Sequence, residues 1–225
     1  MSTINIEHMV NRIQFRLQAL PVRNTAAVRA LRREFSKRLM AAEPRTVLDV
    51  SYRLLHLSQY LYRFIAYELI AHHRATLGSL KIKQLELLGK SMDSWGAVDT
   101  FACYLAGPAW RENQIADAGI HRWTRSTDRW WRRAALVSTV PLNNKTRGGK
   151  GDTQRTLEVC RLLMADRDDM VVKALSWALR ELAKRDARSV RAFLQENQSR
   201  LPPRVIREVH NKLRTGLKNP PSHAP

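Results

Sequence analysis

The sequence is poor in cysteine: only Cys103 and Cys160 occur among its 225 residues, and both lie in apolar stretches with helical spacing. Two buried free thiols suit such positions better than a disulfide or a metal site. The seven histidines also lack the spacing that a set of metal ligands needs. We therefore expect neither a bound metal nor a cofactor.

Long apolar runs are absent as well. No stretch approaches the roughly 20 consecutive apolar residues that cross a bilayer. The first residues, with Glu7 and His8 among them, lack the apolar core of a signal peptide. We therefore expect a soluble intracellular protein with no membrane partner. The chain is long enough for one large domain or one array of repeats with a real core.

Strand patterns are missing too. Glycine is sparse outside one segment, and no convincing run alternates apolar with polar residues. Apolar spacing predicts helices over residues 6–20, 25–41, 44–57, 60–73, 81–89, 95–107, 111–123, 126–140, 153–164, 168–184, 187–198 and 203–215. Thr25 is the predicted cap of the second helix, and Ser126 or Thr127 that of the helix ending at Val140. The fold class is therefore all-α. Short helices joined by tight turns suit either an orthogonal bundle or an α-solenoid of helix pairs.

Two segments are predicted to lie outside the helices. Residues 143–152 combine three glycines with basic side chains, which is typical of a flexible basic loop. Residues 218–225 contain three prolines and are predicted to form a disordered tail. We accordingly predict a single domain over residues 1–217.

Acidic residues are few, and the formal net charge is +19 with a pI of about 11.0. Such a balance favours nucleic acid as the partner, and an anionic membrane only second. Between residues 122 and 150 a single acid, Asp128, stands against a run of cations interleaved with three tryptophans. The cations are Arg122, Arg125, Arg129, Arg132, Arg133, Lys145, Arg147 and Lys150. A solvated helix face over core tryptophans explains part of this pattern, but not its one-sided charge.

The stretch from Ser94 to Phe101 is a candidate site. As a helix, it places Trp95 and Asp99 together on one face, four residues apart. They lie at the margin of a predicted apolar stripe formed by Val98, Phe101, Ala102 and Leu105, beside a shallow surface of Cys103 and Ala106. Spacing alone favours ordinary roles, because helical aspartates are usually solvated or ion-paired and tryptophans usually belong to the core.

A second tryptophan stands out in the helix predicted over residues 168–184. Its apolar face consists of Val171, Leu175, Ala178 and Leu182. Trp177 lies roughly 200° around the helix from Leu175 and therefore on the opposite face, among Lys173, Arg180 and Lys184. Two interpretations remain open: burial against the next repeat, or a platform for a sugar or base in a basic groove.

Three blocks of the sequence resemble the AlkD-type DNA alkylation-repair glycosylases, a family built from HEAT-like repeats. The blocks are SWGAVD at 94–99, WWRRAA at 130–135 and VKALSWALRE at 172–181, and the similarity extends over about residues 25–218. The resemblance implies that Asp99 is the catalytic aspartate, that Trp95 and Trp177 are groove tryptophans, and that Arg133 is an active-site arginine holding phosphates. Residues 15–25 match the family pattern poorly.

The resemblance also implies an α-solenoid with a concave basic groove, and a monofunctional glycosylase that excises N3- and N7-alkylated purines. Double-stranded DNA with alkylated bases is the expected partner of a monomer in the cytoplasm, associated with the nucleoid. The resemblance and the charge pattern together predict DNA contacts at Arg132, Lys145, Arg147, Lys150, Lys173 and Arg180.

Two other functions remain open from the sequence. A non-catalytic binder of branched or distorted DNA would share the fold and the basic surface, and a remote third possibility is an RNA- or protein-binding solenoid. Asp99 together with both tryptophans favours the enzyme, because binding alone does not require a carboxylate facing a polyanion.

Overall fold

The computed structural model describes residues 4–221, and every regular element in that range is a helix. The predicted all-α class is therefore confirmed. No helix among these residues combines the length and the apolar character that crossing a membrane requires. The packing divides the chain into two units, with the boundary between Ser91 and Met92. The single domain over residues 1–217 stays a prediction.

The first unit contains six helices among its described residues. They are α1 (Ile6–Gln18), α2 (Thr25–Leu39), α3 (Pro44–His56), α4 (Tyr60–Ala71), α5 (Arg74–Ser79) and α6 (Ile82–Gly89). Helix α4 packs against α2 and α3, and α1 packs against α3. Residues 62–70 of α4 are all buried, including Arg63 and Glu68. These two charges are compensated within the unit: Arg63 donates to the Lys90 and Ser91 carbonyls, and Glu68 accepts from two arginines of α2.

The second unit begins with one continuous helical segment and continues as a series of helix pairs. Its helices are α7 (Trp95–Phe101), α8 (Gly107–Arg111), α9 (Asp117–Thr124), α10 (Arg129–Ser138), α11 (Val140–Asn143), α12 (Thr153–Leu163), α13 (Asp169–Leu182), α14 (Ala187–Glu196) and α15 (Pro203–Thr215). Helices α7, α10, α13 and α15 pack one on the next, while α9 and α12 pack behind α10 and α13. This succession of helix pairs is that of an α-solenoid. The concave groove stays a prediction.

A π-helical turn, Ala102–Ala106, joins α7 directly to α8. The Gly107 amide donates to the Ala102 carbonyl, five residues back. Pro108 explains the wider turn, because it has no N–H to donate and its ring would clash with the carbonyl four residues earlier. The helical segment therefore runs to Arg111, beyond the predicted end at residue 107.

The predicted helix over residues 111–123 is wrong in its first half. The chain leaves the helix after Arg111 and turns through Asn113, whose φ is +56°, before α9 begins at Asp117. Two predicted caps are also wrong: Asn24 caps α2 and Asp128 caps α10, each accepting a backbone N–H with its side chain. In both cases an Asn or Asp beside the predicted residue takes the cap, as the preferences of this position allow.

The segment over residues 143–152 is not the flexible loop that the sequence predicts. It contains a 3₁₀ turn, Lys145–Arg147, and its carbonyls are held by distant arginines. Arg185 donates to the Asn143 and Gly149 carbonyls, at 2.7 Å each, and Arg111 donates to the Arg147 carbonyl. Gly149 is required here, because a Cβ would lie 2.5 Å from the Pro141 carbonyl oxygen.

The predicted disordered tail of residues 218–225 lies only partly within the described range. Its first residue, Lys218, places its ammonium 3.3 Å from Glu208 on α15. The Lys218 carbonyl also accepts from the Asn211 side chain. Residues 222–225 lie outside the described residues, so the tail stays a prediction there.

We expect Gly107→Ala to lower the free energy of unfolding by about 1–3 kcal/mol, although alanine is the better helix former. A Cβ at this position would lie 2.7 Å from both the Pro141 Cγ and the Ser138 carbonyl oxygen. Urea unfolding measures the change. The control is Ala118→Ser, which also adds one heavy atom but at an exposed helical position. Equal effects of the two substitutions would contradict the close packing of Gly107.

Candidate active site

Helix α7 presents Trp95 and Asp99 at the edge of the core. The predicted stripe of Val98, Phe101, Ala102 and Leu105 is confirmed, since all four side chains are fully buried. Trp95 is 61 % exposed and the Asp99 side chain 18 % exposed, as their marginal positions predict. The predicted shallow surface beside them is wrong: Cys103 and Ala106 are buried, and burial raises the pKa of the Cys103 thiol to about 12.

Arg133 on α10 holds the Asp99 carboxylate with two parallel hydrogen bonds. Its Nε donates to Asp99 Oδ1 and its Nη2 to Asp99 Oδ2, both at 2.9 Å. Its remaining nitrogen, Nη1, donates to the Met170 carbonyl oxygen at the start of α13, at 2.6 Å. One guanidinium thus joins three helices. The resemblance assigned phosphates to Arg133, but in the structure this side chain is 6 % exposed and all three of its nitrogens are occupied by protein acceptors.

Two opposing effects set the ionisation of Asp99. Burial raises the pKa of this carboxyl, and that effect is the larger one. The hydrogen bonds and the positive charge of Arg133 lower the pKa and offset part of the rise. Arg133 is therefore both the orienting partner of the carboxylate and the group that favours its charged form.

Trp177 lies half-buried on α13, away from the apolar face of that helix. The four predicted core residues, Val171, Leu175, Ala178 and Leu182, are fully buried, which confirms the helical phase. Within residues 4–221 neither Trp177 nor Trp95 stacks on another ring or lies under a cation. Their assignment to a groove stays a prediction.

Arg180, one turn beyond Trp177, is held by a buried relay that the sequence did not predict. Its Nε donates to Ser176 Oγ at 3.1 Å, and that hydroxyl donates to Glu208 Oε2 on α15 at 2.6 Å. Both Ser176 and Glu208 are buried. Burial lowers the pKa of Arg180, against the raising effect of Glu208 and Glu181. No local sequence pattern signals this relay, because Glu208 lies 32 residues from Ser176.

Among the remaining predicted DNA contacts, some side chains interact with other groups of the protein and some do not. Arg132 is bound within the protein: its Nε donates to Asp166 at 2.7 Å, and its Nη1 donates to two backbone carbonyls. Lys173 pairs with Asp169 on the surface, and the Arg147 guanidinium lies 4.6 Å from the Tyr104 ring centre. Lys145 and Lys150 are exposed and have no side-chain partner within residues 4–221. Of the predicted DNA contacts, these two lysines are therefore the least engaged in interactions within the protein.

Three aromatic rings beside the site form a cluster. Phe101 lies 5.9 Å from both Trp123 and Trp131, and the two indoles lie 4.9 Å apart. The sequence showed these tryptophans interleaved with cations, and the structure shows that they pack α7, α9 and α10 together. Trp123 is buried, as the core interpretation of the basic strip expected, whereas Trp130 and Trp131 are only partly buried.

A family model described as "DNA alkylation repair enzyme" matches residues 7–213. The matched range spans nearly the whole chain and includes each of the site residues above. A comparison with curated proteins finds no match.

We expect Asp99→Asn and Arg133→Gln to be strongly coupled in stability. Each single change leaves a largely buried charge without its partner, whereas the double change removes both. The double variant should therefore lose about 0.5–3 kcal/mol less than the sum of the single losses. Urea unfolding of the four proteins measures the coupling.

The matched control is the exposed pair of Asp169 and Lys173, whose side chains are 56 % and 42 % exposed. The cycle of Asp169→Asn with Lys173→Gln should give a coupling below about 0.5 kcal/mol. Coupling of similar size in both cycles would contradict a special role for the buried pair.

Proposed function

Because this chain belongs to the DNA alkylation repair enzyme family, we propose that it is a monofunctional DNA glycosylase. Its substrates are positively charged N3- and N7-alkylated purines, such as 3-methyladenine and 7-methylguanine, in double-stranded DNA. It hydrolyses the N-glycosidic bond and releases the free base. We further propose that it acts as a monomer, in the cytoplasm, in association with the nucleoid.

The chemistry explains why a single carboxylate suffices. Cleavage of the bond between deoxyribose and the base passes through an oxocarbenium-like state, in which positive charge develops on the sugar. An alkylated purine of this class is already cationic, so it leaves as a neutral base and needs no general acid. A fixed negative charge beside the sugar is then the main requirement.

The Asp99–Arg133 pair is the observation that carries this proposal. A carboxylate that faces a developing cation must remain charged in a site that excludes water. Arg133 favours the charged form, and its two hydrogen bonds fix both carboxylate oxygens. A carboxylate has about four acceptor positions, so two remain for orienting the attacking water.

The tryptophans support the same function. Trp95 is a large exposed aromatic one turn from Asp99, and Trp177 is a half-buried aromatic on the polar side of α13. Indole faces attract cations, and a damaged nucleotide of this class carries a positive charge on its base. Lys145 and Lys150 supply exposed charges for the DNA backbone.

A non-catalytic binder of branched or distorted DNA is the second candidate. The same pair favours it in one respect: a buried ion pair that joins three helices is also a sound structural element. On this hypothesis Asp99 and Arg133 maintain the fold, and the basic side chains alone account for function. Measurement of excision distinguishes the two candidates.

We expect Asp99→Asn to slow the excision of 7-methylguanine by about 10²–10³-fold. Affinity for DNA should stay level or rise, because the change leaves the Arg133 charge uncompensated. Single-turnover release of the base and DNA binding by fluorescence anisotropy measure the two effects, and urea unfolding checks that the variant is folded.

Asp93→Asn is the matched control, because it removes one negative charge from an exposed position outside the site. It should excise at nearly the parent rate. An unchanged rate in Asp99→Asn would exclude this carboxylate from the mechanism. No excision by the parent protein, on several cationic lesions, would favour the DNA binder.

We expect the rate of excision to fall in acid. The pH at the midpoint of this fall should lie above about 3.9, the usual pKa of an aspartate side chain. The carboxylate is the active form, and burial raises the pKa of Asp99. The protonated, inactive form therefore accumulates as the pH falls through that raised pKa. Single-turnover release measured across this range, with spontaneous depurination of protein-free DNA subtracted, gives the midpoint.

Arg133→Gln should move the midpoint to higher pH, since it removes both of the interactions that lower the pKa of Asp99. The shift separates an effect on ionisation from a general loss of activity. The same midpoint in parent and variant would show that another group controls the acid limb.

A further inference from the structure

A basic pocket of about 860 Å³ lies in the first unit, well away in sequence from the residues of the active site. It is formed by the second half of α2 and by the junction between α4 and α5. Its polar lining consists of Arg32, Arg33, Ser36, Lys37, His72 and Arg74, together with the capping residue His73, and it contains no acidic residue. No predicted site residue lies in this unit.

Arg32 forms a fixed cationic part of the lining. It is 6 % exposed, and its Nε donates to Glu68 Oε2 at 3.1 Å. Its Nη2 lies 3.4 Å from His72 Nε2, and its Nη1 lies 3.5 Å from Ser36 Oγ. The charge of Glu68 is shared with a second arginine, Arg29, at 2.8 Å. Two cations therefore face one buried carboxylate, and the cluster keeps a net positive charge.

Three more cations line the pocket and have no internal partner. The side chains of Arg33, Lys37 and Arg74 are exposed and form no hydrogen bond or ion pair within residues 4–221. Two nearby cations differ from these three because they have an acidic partner. Arg38 of α2 and Arg16 of α1 both pair with Glu34. Cations near a helix C-terminus can stabilise the helix dipole. Arg74 begins a helix, however, so that explanation does not extend to the whole set.

Like charges gathered in a concave site produce a strong positive potential, which concentrates anions there. Guanidinium groups favour phosphate because their planar donors match its oxygens. The volume exceeds what a lone phosphate needs, and the exposed side chain of Met40 adds an apolar wall. The pocket therefore suits a phosphate group that carries a sugar.

We propose that this pocket binds a backbone phosphate of the DNA substrate, as an anchor separate from the residues around Asp99. The proposal rests on DNA as the substrate of the family, and it does not depend on the glycosylase activity. A phosphate contact of this kind positions the duplex without reading its sequence.

The test compares two triple variants of the full chain on undamaged duplex DNA. Arg33→Gln, Lys37→Gln and Arg74→Gln together change the pocket. Arg12→Gln, Arg53→Gln and Lys83→Gln together form the matched control, which removes the same charge from exposed positions of the same unit outside the pocket. Fluorescence anisotropy at several salt concentrations gives the affinity and its salt dependence.

The pocket variant should bind duplex DNA more weakly than the parent, by a similar factor for every DNA sequence. It should also reduce the magnitude of the log–log salt slope by about 0.9 for each DNA phosphate that the variant no longer neutralises. The control should leave the slope near that of the parent. Equal changes in both variants would show that charge acts diffusely and would overturn the proposal, as would an unchanged slope in the pocket variant.

A second arm uses inorganic phosphate, which offers the same chemistry from a free source. Its effect on the melting temperature is measured against chloride at equal ionic strength, in the parent and in the pocket variant. If phosphate stabilises only the parent while both proteins show the same DNA slope, the pocket serves a free phosphate compound and the DNA anchor is overturned. Because no excision is measured, failure of the glycosylase proposal leaves this result interpretable.

Discussion

The bonds of Arg133 to Asp99 and to the Met170 carbonyl are the interaction on which the rest of the site depends. They join α7, α10 and α13, the helices that carry Trp95, Arg133 and Trp177. A buried ion pair of this kind adds little net stability over well-packed apolar residues, but breaking it is costly. The geometry of the whole site therefore follows from one guanidinium with a partner at each of its nitrogens.

The large positive charge serves two purposes in this structure. Some arginines stabilise the fold: Arg132 binds Asp166, and Arg185 holds the carbonyls of the segment over residues 143–152. Other cations, such as Lys145 and Lys150, remain exposed. The net charge alone therefore overestimates the number of cations that are available to bind an anion. The available cations are those whose side chains have no partner within the protein.

Local patterns in the sequence predicted the features that depend on helical phase. These include the buried stripe around Val98, the out-of-phase position of Trp177 and most helix limits. Features that depend on distant partners were beyond such patterns. Asp99 and Arg133 are 34 residues apart, and the segment that looked flexible is held by Arg111 and Arg185, which lie outside it. Glycine content could not reveal those bonds, because they are supplied by other helices.

The π-helical turn after α7 changes the register of one continuous helix. It takes up one residue more than an α-helical turn, which corresponds to a rotation of about 100° around the axis. Phe101 at the end of α7 and Trp110 in α8 are both fully buried, so the segment packs into the protein on each side of this rotation. The helix that carries Asp99 thus keeps a fixed orientation relative to α8, in which Trp110 is fully buried and donates to Asp117. The direction in which the chain continues beyond the helix that carries Asp99 therefore includes this rotation.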